Sequence, residues 1–334
     1  MIDKKSKYTV FYHANCIDGF FSACICLKFL LKNKIKIQNI DFIPSLYDQE
    51  IELDKILDRN IFILDFSWKE NEMNVIVQNC KSLTWIDHHS GSEKLFNKIR
   101  NNFKLTEYSA HDNNYCGTTL TWKSLLINEN APKILMYIED YDLHKKIFKT
   151  DTDSVVEYVN YSCNFNEPTI EVLKEKFLSN ESKHIGKILL NQKNTLVKKM
   201  CSKRNEFSFS NIKIGVVNSS IYNNEVANYL CENFDCDIGI SFYFDKNLPN
   251  KKYWKHSVRT SRNDIDVQSF CENFGGSGHK KASGFCHTNN INDILAEIEK
   301  TVYGNERKFI EYDLAAKNRI KSFEKFLNEN VLIN

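Results

Sequence analysis

The chain is poor in the residues that punctuate loops: of 334 residues, only 11 are glycine and 4 are proline. That scarcity excludes collagen-like and low-complexity linker architectures. No apolar run is long enough to cross a bilayer, which takes about 20 residues; the longest near the start, Phe20 to Leu31, contains Lys28. Charge of one sign is missing too, with Lys+Arg 45 against Asp+Glu 43 and a net charge of +2. Binding of long duplex nucleic acid by bulk positive charge is therefore not expected, and any basic groove must be local. There is no C-x-x-C pair, and the 11 cysteines are odd in number and irregularly spaced. This argues against a zinc knuckle or a disulfide framework and for reduced, mostly buried thiols. Asp3 and the lysines after it do not read as a signal peptide, so a cytoplasmic protein with no membrane partner is expected.

What is present is globular composition, 42% hydrophobic and 26% charged, at a length that suits two domains. Tyr8 to Tyr12, Ile37 to Ile43, Ile61 to Leu64 and Leu83 to Ile86 read as strands. Helical patterns fall between and after them, at Gly19–Leu31, Glu70–Asn79, Thr118–Leu126 and Pro132–Ile138. This alternation predicts an α/β domain with a mostly parallel sheet. Residues 168–204 carry no strand signal and read as a Lys- and Glu-rich helical connector. A second, smaller α/β series follows: strand Ile212–Val217, helix Asn224–Glu232, strands Ile238–Phe244 and Tyr253–Thr260, helix Val267–Asn273. From Ile291 onward the tail reads as helix broken near Gly304.

The strongly predicted strands of the first series end in polar clusters. His13 closes the first, with Asp18-Gly19 five residues on; Asp65-Phe66-Ser67 closes the Ile61 strand, and Asp87-His88-His89 the Leu83 strand. In a parallel sheet these ends share one edge, where open α/β folds place their sites. A single Asp at a strand end is more often a turn former than a ligand. Three clusters of Asp and His at three strand ends outweigh that reading and predict a metal site, of a kind that suits Mn²⁺. Asp140 and Asp142, after the predicted helix, offer a further acidic pair.

In the second series, four of the chain's 11 glycines fall between Gly275 and Gly284, in Gly275-Gly276-Ser277-Gly278-His279-Lys280-Lys281-Ala282-Ser283-Gly284. Such a loop lets backbone N–H groups approach an anion, with His279 as an added donor, although a plain tight turn gives the same composition. Arg259, followed by Ser261, offers a forked phosphate contact. Lys280 and Lys281 read as a solvated pair.

Together these segments resemble the DHH phosphoesterase superfamily with its DHH-associated C-terminal domain. The likeness is carried by His13-Ala14-Asn15-Cys16-Ile17-Asp18-Gly19, Asp65-Phe66-Ser67, Asp87-His88-His89 and Tyr137-Ile138-Glu139-Asp140-Tyr141-Asp142-Leu143. It continues in Val258-Arg259-Thr260-Ser261 and Phe274-Gly275-Gly276-Ser277-Gly278-His279, all in family order. The chain is similar to the branch of bacterial nano-RNase B, of oligoribonucleases and cyclic-nucleotide phosphodiesterases, including its stretch Asp112 to Trp122 with Cys116-Gly117-Thr118. The resemblance implies a DHH catalytic metal-binding domain over 1–150, a helical connector over 151–205, a DHH-associated substrate-binding domain over 206–304 and a C-terminal helical tail over 305–334.

It further implies two divalent ions, Mn²⁺ first and Mg²⁺ or Co²⁺ next, held by His13, Asp18, Asp65, His88 and Asp140, with Asp65 as a bridge. Asp87 would support the site, and His89 would face the substrate phosphate. Arg259, Ser261, Gly275, Gly276, Gly278 and His279 would hold the nucleotide, and Asn15, Asp142 and Tyr115 are further candidates. Two departures stand out. Much of the superfamily has a second carboxylate beside the first-motif Asp, but here the positions two before and two after it are Cys16 and Phe20, so that one metal would be held more weakly. Ser277 also replaces the middle glycine of the usual loop.

The expected function is hydrolysis of short single-stranded oligonucleotides to mononucleotides by water activated on two metals, with Asp65, Asp87, His88 and His89 at the catalytic centre. Tyr115, Trp254 and Phe274 are candidate base-stacking platforms, each also explicable as core. A cyclic mono- or dinucleotide phosphodiesterase is the alternative enzyme, and a catalytically silent nucleotide-binding module the alternative of another class. Short oligonucleotides or nucleotides are the partners expected, and the chain would be a monomer or homodimer.

Overall fold

The computed structural model describes residues 6–46, 49–209, 212–246 and 253–287, with the side chains of Phe209 and Ser277 left aside. The predicted helix from Ile291 and the 305–334 tail lie outside the described residues. Two compact units are present, meeting in sequence at Lys203 and Arg204.

The first unit runs β1 (Tyr8–His13), α1 (Ile17–Lys32), β2 (Ile40–Ser45), β3 (Asn60–Leu64), α2 (Glu70–Asn79), β4 (Ser82–Asp87), α3 (Glu93–Asn102) and β5 (Ala110–His111). It continues through α4 (Gly117–Leu125), α5 (Ile134–Asp142), α6 (Thr150–Ser162) and α7 (Asn180–Cys201). Its five strands form an all-parallel sheet in the order β2-β1-β3-β4-β5. The strands alternate between two cores, as the period of two requires. Val10, Tyr12, Phe62 and Leu64 pack with α1, α4 and α5 on one face, while Phe11, Ile61, Ile63 and Trp85 pack with α2 and α3 on the other. Burial on both faces explains why β1, β3 and β4 read as continuous apolar runs rather than alternating ones. The same holds for α1, whose apolar residues surround the axis because the helix is buried almost entirely. Residues 37–39, expected as strand, form a single 3₁₀ turn before β2. Helix α7 packs on α6 inside this unit, where Lys193 pairs with Glu157. Among the described residues no helix is long and apolar enough to cross a membrane.

The second unit runs β6 (Asn205–Phe209), β7 (Ile212–Asn218), α8 (Asn223–Asn233), β8 (Ile238–Phe244), β9 (Trp254–Arg259), α9 (Val267–Glu272), β10 (Ser277–His279) and β11 (Ala282–His287). Its sheet has the order β10-β11-β9-β8-β7-β6, parallel only between β7 and β8. Ile214, Val216, Ile240, Val258, Phe270 and Phe285 form its core.

His256 sits inside that core, 1% exposed, its ring stacked on Phe285 at 4.5 Å and 9° and on Phe242 at 6.0 Å and 17°. Burial, reinforced by the His287 charge, pushes its pKa down to about 4. Below pH ~6.5 the unfolded chain binds a proton that the folded chain refuses. Stability should thus be flat in this respect above pH ~6.5 and fall as pH drops toward 4, by about 3 kcal/mol in all. Denaturant unfolding at stepped pH, compared between wild type and His256→Phe, checks this: the variant should lack that part of the slope.

Candidate metal centre

Because β1, β3 and β4 are adjacent and parallel, their carboxyl ends deliver side chains to one stretch of sheet edge. His13 is the last residue of β1 and Asp87 the last of β4. Asp65 follows β3 in a left-handed conformation, φ 53°, which Asp tolerates better than most residues. Its N–H bonds the Ile86 carbonyl at 2.9 Å. Asp18 enters from the first turn of α1, and Asp142 is the last residue of α5.

His88 Nε2 lies 3.1 Å from Asp65 Oδ1, 3.6 Å from Asp18 Oδ2 and 3.6 Å from Asp142 Oδ2. Asp65 Oδ2 is 3.6 Å from His13 Nδ1 and 3.5 Å from Cys16 Sγ. Asp65 therefore stands between two donor triads, His13–Cys16–Asp65 and Asp18–His88–Asp142, and a third group, Asp65–His88–His89, links them. Within each group the donor atoms lie within 4.8 Å of one another. Asp65 Oδ1 and His88 Nε2 are buried and face each other without forming a hydrogen bond. With a proton on Nε2 the two form an ion pair, and with the proton gone both become donors that a cation could hold. The donor set, imidazole with carboxylate, fits a borderline divalent cation.

Neighbouring residues hold these donors in place. Asp18 accepts N–H bonds from Gly117 at 2.6 Å and Thr118 at 2.7 Å, both at the N-terminus of α4, and the Thr118 hydroxyl donates to its carbonyl. A Cβ on Gly117 would lie 2.6 Å from Asp65 Cβ and 2.9 Å from Asp18 Oδ2, so a glycine is what lets α4 touch both carboxylates. Asp87 accepts the His88 and His89 N–H groups and sits 2.7 Å from His89 Nδ1. Its other oxygen accepts from the Ser92 hydroxyl at 2.6 Å, and Ser92 lies 3.0 Å from His111 Nε2. Ser92 and His111 were not legible as site residues, since nothing in their spacing marks them.

Burial and the negative Asp65 and Asp142 raise the Asp18 carboxyl well above its usual range, and burial and Asp65 raise Asp142. Burial opposes charge on Asp65 as well, yet the adjoining His13 and His88 imidazoles hold it well below the usual carboxylate range. On the two histidines, burial is likewise overruled by carboxylates: Asp65 lifts His88 to about 9, and Asp87 lifts His89 to about 10. Protons thus balance the clustered carboxylates until a cation does.

Asp140, expected as a ligand, does not join the cluster. Helix α5 continues past Ile138 to Asp142, and two residues turn a helix by about 200°. Asp140 faces away and accepts the N–H groups of Ile147 at 2.6 Å and Phe148 at 3.2 Å and the Thr152 hydroxyl. Asp142 takes the place expected of it. Asn15 is exposed at φ 56°, and the Tyr115 ring carries Lys123 Nζ 3.4 Å from its centroid.

In the second unit the Arg259 guanidinium donates to the carbonyls of Val258 and Ser283 at 2.9 and 3.2 Å, while Ser261 is exposed. Helix α9 ends with Gly275 N–H on Glu272 O and Gly276 N–H on Cys271 O, both 2.9 Å, with Gly275 at φ 71°. This is a left-handed helix terminus that satisfies orphan carbonyls. These two N–H groups, expected to face an anion, therefore close the helix instead. Gly278 and His279 belong to β10 and pair with Ser283 and Ala282; His279 is exposed. Phe274 stacks on Phe285 at 4.6 Å, and Trp254 packs on Phe242 and Phe244.

No family model matches the chain. An uncharacterized protein of Acanthamoeba polyphaga mimivirus is 24% identical over 307 residues, 85% of this chain and 68% of the relative. Among solved structures, the DHH domain of a member of a ribosomal-protein family matches with TM-score 0.57 and 12% identity, over 90% of this chain and 88% of that one. An exopolyphosphatase-related protein from Bacteroides fragilis matches with TM-score 0.53 and 15% identity, over 89% and 91%. RecJ in complex with Mn²⁺ from Thermus thermophilus matches with TM-score 0.50 and 11% identity, over 89% of this chain and 52% of RecJ. The chain thus shares the mixed α/β fold of DHH-domain proteins, all-parallel first sheet included.

His88 Nε2 must shed a proton held up to about 9 before it can ligate, so Mn²⁺ binding should release protons and tighten as pH rises toward 9, by up to about tenfold per pH unit for each proton displaced. Calorimetric titration in buffers of differing ionisation enthalpy measures this, and an affinity flat across that range contradicts it. The two aspartates of α5 should separate as well. Asp142→Asn weakens Mn²⁺ by at least about tenfold, whereas Asp140→Asn costs about 1–3 kcal/mol of stability and leaves the metal affinity within a factor of about two or three.

Proposed function

We propose that the protein is a metal-dependent phosphoesterase of the DHH kind that hydrolyses short single-stranded oligonucleotides to mononucleotides. The observation that carries this reading is the set of three donor groups at the sheet edge, His13–Cys16–Asp65 and Asp18–His88–Asp142 linked by Asp65–His88–His89. Two further facts support it: the fold is shared with DHH-domain proteins, and one of these, RecJ, binds Mn²⁺.

In this reading His13 and Asp65 hold one divalent cation, and Asp18, His88 and Asp142 hold a second, with Asp65 between them. Two bound cations supply electrophilic stabilisation of phosphoryl oxygens and a water acidic enough to attack near neutral pH. The protein's own contribution is placement. Asp87 fixes the His89 ring through Nδ1 and its backbone through N–H, and in this reading the remaining ring nitrogen, Nε2, is the donor to a non-bridging phosphate oxygen. In the metal-free protein Asp87 raises the His89 pKa to about 10, and in this reading the ring donates a hydrogen bond to the charge growing on the phosphoryl group. The α4 N-terminus keeps Asp18 from swinging away. Arg259 and His279 of the second unit are the proposed nucleotide contacts, Arg259 after exchanging a carbonyl for a phosphate oxygen.

Hydrolysis of pApA by the Mn²⁺-loaded protein, set against cyclic di-AMP, tests the substrate. The linear dinucleotide should turn over faster, EDTA should abolish the reaction, and His88→Ala should lower kcat by at least about a hundredfold with folding intact. Faster turnover of the cyclic compound would favour the cyclic-dinucleotide reading. Metal-loaded protein inert on both would leave a nucleotide-binding module.

A further inference from the structure

The first-motif region lacks the second carboxylate that would complete a hard oxygen site, and the side chain standing two residues before Asp18 is a thiol. Cys16 is the N-cap residue of α1, yet its side chain makes no capping hydrogen bond to the helix. The Sγ–H instead donates to Asp65 Oδ2 at 3.5 Å, and the same oxygen lies 3.6 Å from His13 Nδ1. Donors bound at 2.0–2.3 Å to one tetrahedral ion stand about 3.3–3.7 Å apart, so the three atoms need little movement to exchange the thiol proton for a shared cation. Asp65 is 1% exposed, and its other oxygen, Oδ1, is buried with no hydrogen bond, so the carboxylate is turned toward ligands on both sides.

We propose that Cys16 is a metal ligand, so that the His13–Cys16–Asp65 triad is a nitrogen–sulfur–oxygen site for a thiophilic ion beside a nitrogen–oxygen site at Asp18–His88–Asp142. The inference rests on the metal centre of the proposed function and deepens it. Soft thiolate donors select ions such as Zn²⁺ or Co²⁺ over Mg²⁺, whereas imidazole and carboxylate alone accept Mn²⁺ readily. The two halves of the centre therefore differ in preference, and a mixed-metal pair is the occupied form. As the sulfur–metal bond forms, the thiol proton passes to solvent, with no change of oxidation state. The weaker second site implied by the missing carboxylate is in this view a different site.

The test is Co²⁺ titration of the full chain followed by absorption spectroscopy. Wild type should develop a near-ultraviolet thiolate-to-cobalt charge-transfer band, and Cys16→Ser should lose it. Serine is a favoured N-cap, so the variant should keep its fold, which far-ultraviolet circular dichroism verifies. Cys16→Asp should bind Co²⁺ without the band and shift its preference from Zn²⁺ toward Mn²⁺. A wild type that binds Co²⁺ and hydrolyses pApA without the band overturns the proposal and leaves the phosphoesterase reading standing, as does a band that persists in Cys16→Ser. A band of the expected kind without any hydrolysis keeps the ligand and removes the phosphoesterase reading. Failure to bind Co²⁺ at all removes both.

Discussion

Three aspartates, Asp18, Asp65 and Asp142, are gathered around the Nε2 atom of one imidazole, and Asp18 and Asp65 are almost wholly buried. Bringing like charges together away from water costs several kcal/mol per ion unless cations or hydrogen-bond donors answer them. The surrounding architecture supplies part of that answer. Two N–H groups at the start of α4 meet Asp18, and the histidines of β1 and of the loop after β4 meet Asp65. The same imidazoles and carboxylates, once deprotonated, are the groups that could hold a cation.

The first unit can be read outward from this constraint. A parallel sheet is what allows three strands distant in sequence to end side by side, and burial of both sheet faces is what keeps those ends rigid. Asp87 carries no direct part in the donor triads but sets two backbone N–H groups, one ring and one hydroxyl, so the loop after β4 has little freedom to move. Gly117 permits the contact between α4 and both carboxylates. The division of labour is between residues that touch the cation site and residues that deny them alternatives.

The second unit shows how one composition serves two physical ends. Its glycine cluster suggested an anion cradle, and the backbone instead uses Gly275 and Gly276 to end α9 and to bring the following hairpin against it. A Cβ on Gly276 would meet the Gly284 carbonyl at 2.2 Å, so the glycine answers a packing demand before any ligand arrives. Phe274 and Trp254, offered as stacking platforms, are likewise engaged with aromatic neighbours. Among the described residues the Arg259 guanidinium donates to the carbonyl oxygens of Val258 and Ser283.

The amino-acid sequence by itself determined the strand ends and their chemistry. The short apolar runs of four or five residues read as strands buried on two faces, and His13, Asp65 and Asp87-His88-His89 close them, so their meeting at one edge follows from parallel pairing. The bounds of α2 and β8 were equally legible, because each is a clean periodic segment between polar turns. Only the tertiary structure chose between Asp140 and Asp142. Both are acidic and two residues apart, and helical rotation sends one to Thr152 and the loop beyond α5 and the other to His88, a difference fixed by how α5 docks. The same holds for Cys16, Gly117, Ser92 and His111. Their roles come from neighbours up to a hundred residues away in the chain, as for Thr118 and Asp18, and local patterns carry no record of such distances.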